Sequence, residues 1–505
     1  MQRRKLVSWC VSSSVLVVAS AAFAGDLAVP RDYRNVEDAL AAAQPGDRVL
    51  VRGGTYENIH VKKGNVEIVA RGVTVQGYVW IDASHVSVSG LRLGRSGRIV
   101  ITGDDVTVTG TKATGRGHRV ISVQGGRRAA LVHNKLADGD IQVLKGSDAT
   151  IEDNRIKDGV IQAADAGAVI DSNVAPVIQV TGGDSSLLDN RCESMSVDGA
   201  NCDVANNRAT MQVTVRGDTA LVQGNDVRGW ISVAGDDVSI NGNSLVTSGI
   251  DLTGDRAVIT SNTVTDAPLG IGVRGNDFTI ADNDVTAIAR LMHDGGVAGF
   301  PFCPGIGVIS PTGTGGTITG NDVTHHTGVG ISVASSGITI SGNDVHGVTS
   351  NTSITVNGSQ NTIADNSVDQ TGIGQGIGDG IDVWGNENTV SGNDIGTVAQ
   401  DSILVMSGTG TVISDNTIAA APGCGVVLTC RASDTLISNC EVTGCGLGVV
   451  NDGVSTSMTG TTSQSNDFAD ILDLSTGFST FEGNTYSTLS HDQLLSPAIT
   501  ATPFD

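Results

Sequence analysis

The sequence predicts an all-β protein: a single-stranded right-handed parallel β-helix solenoid with a short capping helix at its N-terminus. An asparagine recurs in the pattern apolar-x-[Gly/Asp/Ser/Asn]-Asn-x-apolar, at intervals of 17 to 27 residues with one exception. Each interval holds two or three short Val/Ile/Leu strands broken by Gly, Asn and Asp. A repeat this small cannot bury its own apolar side chains, so successive repeats must stack on one another.

We expect the asparagines to form an internal ladder, because a buried polar column has to satisfy its own hydrogen bonds. Each side-chain amide would bond the turn of the next coil. The ladder positions are Asn134, Asn154, Asn173, Asn190, Asn207, Asn225, Asn243, Asn262, Asn283, Asn321, Asn343, Asn366, Asn393 and Asn416. Leu91 and Thr111 fit the same position in earlier coils, and Cys440 and Asn484 in later ones.

The first 24 residues are typical of a secretory signal peptide. Three basic residues, Arg3, Arg4 and Lys5, precede an apolar stretch that ends at Val18, and Ala24 closes a small-x-small cleavage site. We therefore expect cleavage after Ala24 and a secreted or periplasmic protein. A membrane anchor is the alternative, but the apolar stretch is short for a span, and no second run of transmembrane length follows.

The N-terminal region after the signal predicts a cap for the solenoid. A short helix is expected from Val36 to Ala43, then a turn at Pro45 to Asp47, then a first strand over 49–51. A cap is required because an open end would expose core residues and unpaired strand edges. The predicted organisation is residues 25–63 as cap and first coil, 64–490 as β-helix and 491–505 as a C-terminal tail.

The segment NVEDALAAAQPGDRVLVRGGTYEN, from Asn35 to Asn58, resembles the opening of the pectin-lyase-like superfamily. With the asparagine ladder, the resemblance covers essentially the whole mature chain. It implies a right-handed parallel β-helix whose open end is covered by a helix. It also implies two kinds of function: an extracellular enzyme acting on acidic polysaccharides (lyase, hydrolase, esterase or epimerase), or a non-catalytic binding or adhesion module.

Charge is distributed unevenly along the chain. Between Gly25 and Val160 there are 19 Lys and Arg residues against 16 Asp and Glu, and from there to the end 8 against 37. The acidic majority argues against nucleic acid or an anionic membrane as the main partner. A basic cluster in the first third offers either a strip for an acidic glycan, with Arg116 and Arg119 as binding residues, or a solvated face. Its members are Arg95, Arg98, Arg116, His118, Arg119, Arg127 and Arg128.

An acidic column follows the ladder in the second part of the chain. Its members are Asp226, Asp284, Asp322, Asp344 and Asp394. Stacked carboxylates repel one another unless a cation lies between them, so a bound Ca²⁺ is one interpretation and a solvated edge is the other. No cofactor is certain, and the sequence leaves any metal and the oligomeric state open.

Two pairs of cysteines lie where neighbouring coils could join them. Cys424 and Cys445 occupy what looks like one position in consecutive coils, and Cys192 and Cys202 fall at inward positions of a single coil. A disulfide and a pair of buried free thiols are both open for each pair.

One irregular interval marks a candidate site. The gap from Asn283 to Asn321 is 38 residues, one coil plus an insertion over 288–305. Long insertions in a solenoid lie on one face, and that face is often functional. The insertion carries Arg290 and His293, and the corresponding turn of the next coil carries His325 and His326.

His293 and His325 are therefore candidate proton carriers in catalysis, and Arg290 and His326 are candidate substrate-binding residues. The alternative is a loop folded onto the solenoid, with surface histidines of no consequence.

A carboxylate pair is predicted further along the same face. Asp379 and Asp401 both precede, by two residues, the inward isoleucine that starts a strand. We expect them to stack about 5 Å apart, a distance at which paired carboxyls split their pKa values and can act as acid and base. Asp382 and Trp384 follow on the same strand as candidate sugar contacts.

This segment resembles the polygalacturonase-type glycoside hydrolases in its Asp-Gly-Ile-Asp sequence, which ends at Asp382. Their next motif, Asp-Asp, here reads Gln400-Asp401, and their Gly-His-Gly reads Gly-Cys-Gly around Cys424. Their Arg-x-Lys pair is absent, because Arg431 is the only basic residue left downstream apart from His491. The departures count against that family's own chemistry.

Three functions follow from the sequence. The first is a polysaccharide lyase or epimerase that removes the C5 proton of a uronic acid with a His or Arg base. The second is a non-catalytic surface, structural or adhesion rod. The third is a glycoside hydrolase that uses the Asp379 and Asp401 pair. A polysaccharide, preferably an acidic one, is the expected partner in the enzymatic cases.

Overall fold

The computed structural model describes residues 25–113, 120–164, 166–286, 304–372 and 376–491. The chain divides into two compact units, unit 1 ending at Gly159 and unit 2 beginning at Val160. The signal segment, Arg116, Arg119, Arg290 and His293 lie outside the described residues, as do most of the 288–305 insertion and the tail after His491. Among the helices that the structure describes, none has the length and apolar character needed to cross a membrane.

Both units repeat the same kind of coil, which contains up to three short strands. Equivalent strands of successive coils pair in parallel and form three sheets, called sheet 1, sheet 2 and sheet 3. In unit 1, sheet 1 contains Asp26–Val29, Arg48–Arg52, Val66–Arg71, Val86–Ser89, Thr107–Thr109, Ala130–Val132 and Thr150–Glu152. Sheet 2 contains Thr55–Tyr56, Thr74–Val75, Arg92–Leu93, Lys112–Ala113, Lys135–Leu136 and Arg155–Ile156. Sheet 3 contains Ile59–Val61, Tyr78–Ile81, Arg98–Ile101, Val120–Val123 and Asp140–Val143.

In unit 2, sheet 1 contains Val169–Asp171, Ser186–Leu188, Asp203–Ala205, Leu221–Gln223, Ser239–Asn241, Val258–Thr260, Phe278–Ala281, Gly316–Thr319, Thr339–Ser341, Thr362–Ala364, Thr389–Ser391, Val412–Ser414, Leu436–Ser438, Ser457–Thr459 and Thr480–Glu482. Sheet 2 contains Asp226–Val227, Ser244–Val246, Thr263–Thr265, Asp284–Thr286, Asp322–Thr324, Asp344–His346, Ser367–Asp369, Asp394–Ile395, Thr417–Ala419, Glu441–Thr443, Thr462–Gln464 and Thr485–Tyr486.

Sheet 3 of unit 2 contains Val160–Ala163, Val177–Val180, Trp230–Ala234, Ile250–Thr253, Ile271–Arg274, Ile306–Thr314, Ile331–Ser336, Ile354–Asn357, Ile381–Trp384, Ile403–Thr409, Cys424–Leu428, Leu447–Asn451, Ala469–Asp473 and Leu489–Ser490. Two long strands, Arg191–Asp198 and Arg208–Arg216, run through sheets 2 and 3, and a short strand, Ala432–Ser433, pairs with the end of Ile403–Thr409. The predicted parallel β-helix is confirmed.

The core of each unit is a set of aliphatic columns. In sheet 1 of unit 2, Ile318, Ile340, Ile363 and Val390 stand in register on successive coils, all fully buried. Their neighbours along each strand point outward, because successive residues of a strand face opposite sides. Burying each such side chain contributes about 1.5–3 kcal/mol before the conformational entropy of the chain is counted.

The asparagine ladder has the predicted inward geometry: every predicted asparagine from Asn134 to Asn416 is buried, and Asn484 in a late coil is half-buried. Asn343 is representative. Its Oδ1 accepts hydrogen bonds from the backbone N–H and the Nδ2 of Asn321, at 3.0 and 2.9 Å. Its Nδ2 donates to the Ile318 carbonyl at 2.9 Å and to Oδ1 of Asn366 at 2.9 Å. Each amide therefore joins its coil to both neighbours.

Backbone conformation explains the residue before each asparagine. Asp153, Ser172, Asn206 and Gly342 occupy this position and have φ between 51° and 63°. The left-handed region is costly for residues with large side chains and is tolerated by Gly, Asn and Asp. The [Gly/Asp/Ser/Asn]-Asn pattern is thus a turn requirement as well as a ladder.

The predicted capping helix is present as Val36–Ala42. Asn35 is its N-cap and accepts the Asp38 N–H at 2.7 Å, while Val36, Ala39 and Leu40 are buried. The strand predicted over 49–51 extends over Arg48–Arg52, and a strand before the helix, Asp26–Val29, pairs with it in parallel. The sequence analysis missed that first strand.

The structure adds detail that the ladder pattern did not give. A second, short ladder occupies another turn, where Asn361 Oδ1 accepts the Ile338 N–H and Asn388 Oδ1 accepts the Asn361 N–H, both at 2.9 Å.

The cysteines within the described residues form no disulfide bonds. Cys424 is in register with Leu447 and not with Cys445, so these two cysteines do not occupy the same position in consecutive coils.

Candidate functional site

The loops between sheets 2 and 3 of unit 2 bring three carboxyl groups together. The inward residues Ile381 and Ile403 are in register, so Asp379 and Asp401, each two residues earlier, occupy equivalent positions of consecutive coils. Asp382 directly follows Ile381. We call Asp379, Asp382 and Asp401 the acidic cluster.

Backbone amides of successive coils hold two of the three carboxyls. The Asp401 N–H donates to Oδ1 of Asp379 at 2.9 Å, and the Cys424 N–H donates to Oδ1 of Asp401 at 2.8 Å. Both aspartates are half-buried. Their orientation is therefore fixed by the solenoid itself.

Asp382 is the buried member of the cluster, with 7 % of its surface exposed. The Thr352 hydroxyl donates to its Oδ2 at 3.0 Å. Its Oδ1 is buried and receives no hydrogen from the residues that the structure describes. The carboxyls of Asp382 and Asp379 contact each other, a contact that becomes a hydrogen bond only when one of them carries a proton. One proton shared between the two carboxyls therefore provides the hydrogen bond that joins Asp379 and Asp382.

Burial sets the protonation of the cluster. Burial is the largest cause that raises the pKa of Asp379 to about 6; the Asp401 charge acts in the same direction, and the hydrogen bonds from the Asp401 backbone and from Asp382 oppose it. Burial, followed by the charge of Asp379, raises the pKa of Asp382 well above its ordinary value. Burial also raises the pKa of Asp401. No cationic side chain of the described residues affects the pKa of Asp379 or Asp401.

Trp384 lies beside the cluster, two residues after Asp382 on the same strand and half-buried. Alternation along the strand puts both side chains on the outer face, about 7 Å apart. The neighbouring strand has a β-bulge at this point, where Val383 pairs with Val405 but Trp384 pairs with Ser407. Bulges re-aim side chains and are common beside functional sites.

The two described histidines of the predicted site do not join the cluster. His325 is exposed, in the left-handed region at φ 51°, and its ring stands edge-on to that of His346 with centroids 6.2 Å apart. His326 has no exposed surface, and its Nδ1 accepts the Gly328 N–H at 2.9 Å. Burial lowers the pKa of His326 to about 4. A neutral, enclosed imidazole does not suit the substrate-binding role suggested by the sequence.

The predicted acidic column does stack. Asp284, Asp322 and Asp344 are in register in sheet 2, exposed, and the His346 Nδ1 lies 3.4 Å from Oδ1 of Asp344. Burial is the largest cause that raises the pKa of Asp322; the charge of His346 opposes it, and the charges of Asp284 and Asp344 add to it. Within the described ranges no group of three or more His, Cys, Asp and Glu side chains has the arrangement of a metal site.

Residues 304–487, which hold the acidic cluster, match the family model described as right handed beta helix region. The chain is a right-handed parallel β-helix protein. The match and the register of its strands confirm the expected resemblance to the pectin-lyase-like superfamily at the level of the fold. No curated protein sequence matches the chain.

Solved structures show only a loose likeness. A PL6 family alginate lyase is 12 % identical with a TM-score of 0.34, over 92 % of this chain and 100 % of that chain. The DFA-IIIase from Arthrobacter chlorophenolicus A6 is 13 % identical with a TM-score of 0.28, over 55 % and 85 %. The A-module of a mannuronan C-5 epimerase from Azotobacter vinelandii is 12 % identical with a TM-score of 0.10, over 90 % and 93 %. Superpositions this loose carry no argument about the chemistry of this chain.

Sequence reasoning missed Thr352, which completes the site. It precedes Ile354 by two residues, and Ile354 is in register with Ile381. The rule that aligned Asp379 with Asp401 therefore also places Thr352 one coil earlier. The position of Thr352 two residues before the inward Ile354 could have identified it from the sequence, but threonine is a common strand and turn residue and does not by itself indicate a site.

Proposed function

We propose that the protein binds a polysaccharide and hydrolyses it at the acidic cluster of unit 2. Asp379 is the proton donor and Asp401 the partner carboxylate. Asp382, whose pKa burial raises well above its ordinary value, is a positioning residue that hydrogen-bonds to Asp379. The observation that carries the proposal is the buried Asp382 carboxyl, which has one oxygen on Thr352 and the other without a donor, in contact with Asp379.

Protonation at neutral pH supports the role of Asp379. A general acid works best when its pKa lies close to the operating pH. Burial raises the pKa of Asp379 to about 6, so the group keeps its proton in about half of the molecules at pH 6 and about a tenth at pH 7. Two carboxyls with different environments are the usual basis for separate acid and base roles at one glycosidic bond.

The coil spacing favours one stereochemical course. Equivalent positions of adjacent coils lie about 4.8 Å apart, near the roughly 5–5.5 Å between the carboxyls of retaining glycosidases. In this scheme Asp379 gives its proton to the glycosidic oxygen while the bond from that oxygen to the anomeric carbon breaks. The Asp401 carboxylate bonds to the anomeric carbon, and water then releases the sugar with its configuration retained.

Trp384 provides the sugar contact in this proposal. An indole ring at the surface offers a flat apolar face on which a pyranose ring can stack. Its place on the outer face, two residues after Asp382, sets the stacked sugar beside the acid.

The lyase or epimerase suggested by the sequence remains a prediction. That chemistry needs a base and a cation or acid that neutralises the uronate carboxylate. Arg290 and His293, its candidate groups, lie outside the described residues. Around Asp379 and Asp401 the described residues supply backbone amides, the Asp382 carboxyl and the Cys424 thiol instead, a setting without a cation that suits hydrolysis better.

A non-catalytic rod is the second candidate, and one observation favours it. Asp218 and Asp236, in a different turn, also accept the N–H of the next coil, from Asp236 and Asp255 at 2.9 Å. A carboxylate that bonds the next coil is therefore also a structural device of this solenoid. Two features distinguish the acidic cluster from these structural carboxylates: the buried carboxyl of Asp382 and the raised pKa of Asp379.

The test is incubation with a panel of neutral and acidic polysaccharides, scoring reducing ends for hydrolysis and ultraviolet absorbance of unsaturated sugars for elimination. We expect reducing ends without unsaturated product, and a loss of about 10²-fold or more in kcat for Asp379→Asn. Asp218→Asn is the matched control, because it changes a carboxylate with the same backbone contact, and it should keep full activity.

Three outcomes would contradict the hydrolase proposal. Turnover that survives in Asp379→Asn removes Asp379 from the chemistry. Formation of an unsaturated product would show that the protein is a lyase and not a hydrolase. Binding without turnover on every substrate would favour the non-catalytic rod. Export of the mature protein to the periplasm or the cell exterior, predicted from residues 1–24, belongs to the same proposal, since polysaccharides of this kind lie outside the cytoplasm.

A further inference from the structure

Sheet 2 of unit 1 carries a column of cations on its outer face. Its two-residue strands stack in register, so the first residues of successive strands align. In the last four coils these residues are Arg92, Lys112, Lys135 and Arg155, all exposed. We call these four residues the basic column.

Two further arginines extend the pattern to the preceding coils. Arg52 and Arg71 pair in register at the ends of their sheet 1 strands, and both are exposed. They lie three residues before Thr55 and Thr74, the residues that precede Arg92 in the sheet 2 stack. Six consecutive coils of unit 1 therefore each carry a cation along this side.

Such a column is unfavourable in an isolated protein. Equivalent atoms of neighbouring coils are about 4.8 Å apart, and like charges directly opposite each other in a sheet repel. The Debye length at physiological ionic strength, about 8 Å, exceeds that spacing, so salt does not screen the repulsion fully. The fold does not require a cation at this position, because Thr55 and Thr74 occupy it in the first two coils with neutral side chains.

The basic column is also unpaired, although unit 1 pairs other cations. Arg48 contacts Asp26 at 2.8 Å and Arg128 contacts Asp105 at 2.6 Å. None of the four residues of the basic column has an ion pair with any residue that the structure describes. Their positive charges are therefore not neutralised by the described residues and are available to an anionic ligand.

We infer that the basic column binds a linear acidic polysaccharide with one carboxylate per sugar, laid along the stack of coils. The rise of one coil is close to the length of one pyranose unit in an extended chain, so each carboxylate meets one cation. This binding surface belongs to unit 1 alone. It stands whether or not the acidic cluster of unit 2 is catalytic.

The column suits a polyuronate better than nucleic acid. Single strands are bound through aromatic side chains on which the bases stack, and no residue of the column is aromatic. In duplex DNA, successive phosphates of a strand rise about 3.4 Å along the axis, a poorer match to the coil spacing. A flat sheet of two-residue strands also offers nothing that would enter a groove.

The basic column differs from the basic cluster predicted from the sequence. That cluster extends from Arg95 to Arg128, its binding residues Arg116 and Arg119 lie outside the described residues, and its binding role stays a prediction. The register of sheet 2 selects other residues, of which the sequence analysis named none.

The experiment is calorimetric titration of the full chain with oligogalacturonates of increasing length. We expect affinity to rise with each added sugar until the oligomer spans the cation-bearing coils, and to fall as salt is added. The variant that replaces all four residues of the basic column by Gln should lose about tenfold or more in affinity, since each exposed ion pair contributes modestly.

The matched control replaces four exposed or half-exposed cations elsewhere in unit 1 by Gln, namely Arg34, Lys62, Lys63 and Lys145. It makes the same change in net charge and should keep affinity within about twofold, because long-range attraction is largely screened. A second variant, Arg92→Lys with Arg155→Lys, keeps the charges and should bind as the original does. Circular dichroism and melting temperature verify the fold of each variant.

Three results would overturn the inference. Equal losses in the column variant and the control would reduce the effect to net charge. Undiminished binding in the column variant would move the site elsewhere. Single-stranded DNA that binds the column more tightly than an oligogalacturonate of equal charge would replace the polysaccharide by nucleic acid.

Discussion

Unit 1 and unit 2 use the same coil but place opposite charges at the same outer position. The residue after the ladder is Arg92, Lys112, Lys135 or Arg155 in unit 1. In unit 2 the position begins with Val174, holds Arg191 and Arg208 in the next two coils, and continues with Asp, Glu, Ser or Thr; Arg208 pairs with Asp226 at 3.3 Å. The inner columns are aliphatic in both units. Packing fixes the inside of the solenoid, so the outside is where the units can diverge in function.

The units also treat buried and paired carboxyls differently. In unit 1, Asp105 is held by Arg128, whose hydrogen bonds lower the pKa of Asp105. In unit 2, Asp379 and Asp382 share a site without a cation, and burial raises the pKa of each. The first arrangement stabilises the ionised form, whereas the second retains a proton near neutral pH.

The largest effect is expected at the ladder of unit 2. Asn343→Leu leaves the buried Asn321 N–H without its acceptor, at a cost of about 1–3 kcal/mol, and removes one hydrogen bond from the Ile318 carbonyl. Urea unfolding should show a lower midpoint. Asn241→Leu is the control, since this asparagine is exposed on sheet 1 and its loss should change stability by no more than about 0.5 kcal/mol. Equal effects of the two variants would contradict the ladder.

The acidic cluster should give unit 2 a pH dependence of opposite sign to that of the Arg128 ion pair. The folded protein keeps protons on Asp379 and Asp382 after the unfolded chain has lost them, so the free energy of unfolding falls as pH rises from about 4 through 6 and beyond. Asp382→Asn keeps an acceptor for Thr352 and removes the charge. It should raise the free energy of unfolding near pH 8, because the folded protein then no longer holds a buried carboxyl that the unfolded chain ionises freely.

Asp105→Asn in unit 1 provides the comparison. Its carboxylate has a lowered pKa, so its contribution is present above the unfolded pKa and is lost as pH falls through the folded pKa. Asp105 is half-buried and its partner Arg128 is exposed, so we expect a loss of only a few tenths of a kcal/mol at neutral pH. Thermal melts across pH measure both variants. The same sign in both would break the contrast between the units.

A smaller effect is expected for sugar binding at Trp384. Trp384→Ala should weaken polysaccharide affinity by about 0.5–1.5 kcal/mol, the size of an aromatic contact beyond its area, with little change in unfolding. Trp230→Ala is the matched control, because Trp230 is also half-buried on sheet 3 of unit 2 but lies many coils away from the acidic cluster. Equal losses would remove Trp384 from the site.

The smallest effect concerns the ladder of unit 1. Thr111 occupies an asparagine position, and its N–H donates to Oδ1 of Asn134 at 2.9 Å. Its hydroxyl is buried and bonds no residue that the structure describes. Thr111→Val should therefore be neutral or stabilising by up to about 1 kcal/mol in urea unfolding. A clear destabilisation would show that the hydroxyl contributes to the ladder after all.

The acidic cluster was predictable in part. The register of inward isoleucines aligned Asp379 with Asp401 from sequence, because a parallel stack repeats the same positions in every coil. The burial of Asp382 was not predictable, since alternation along the strand puts it on the outer face, where most side chains are exposed. The same limit applies to His326, which the sequence offered as a ligand and the structure encloses.

The sequence by itself determined the solenoid, the ladder and the cap. Repeated asparagines, left-handed residues before them and aliphatic alternation are local requirements, and each can be read at its own position. The tertiary structure alone decided which outer side chains are covered and which charges from distant coils align. Contacts between residues some 20 positions apart, such as Arg92 with Lys112, depend on the length of each turn, and these lengths vary from coil to coil.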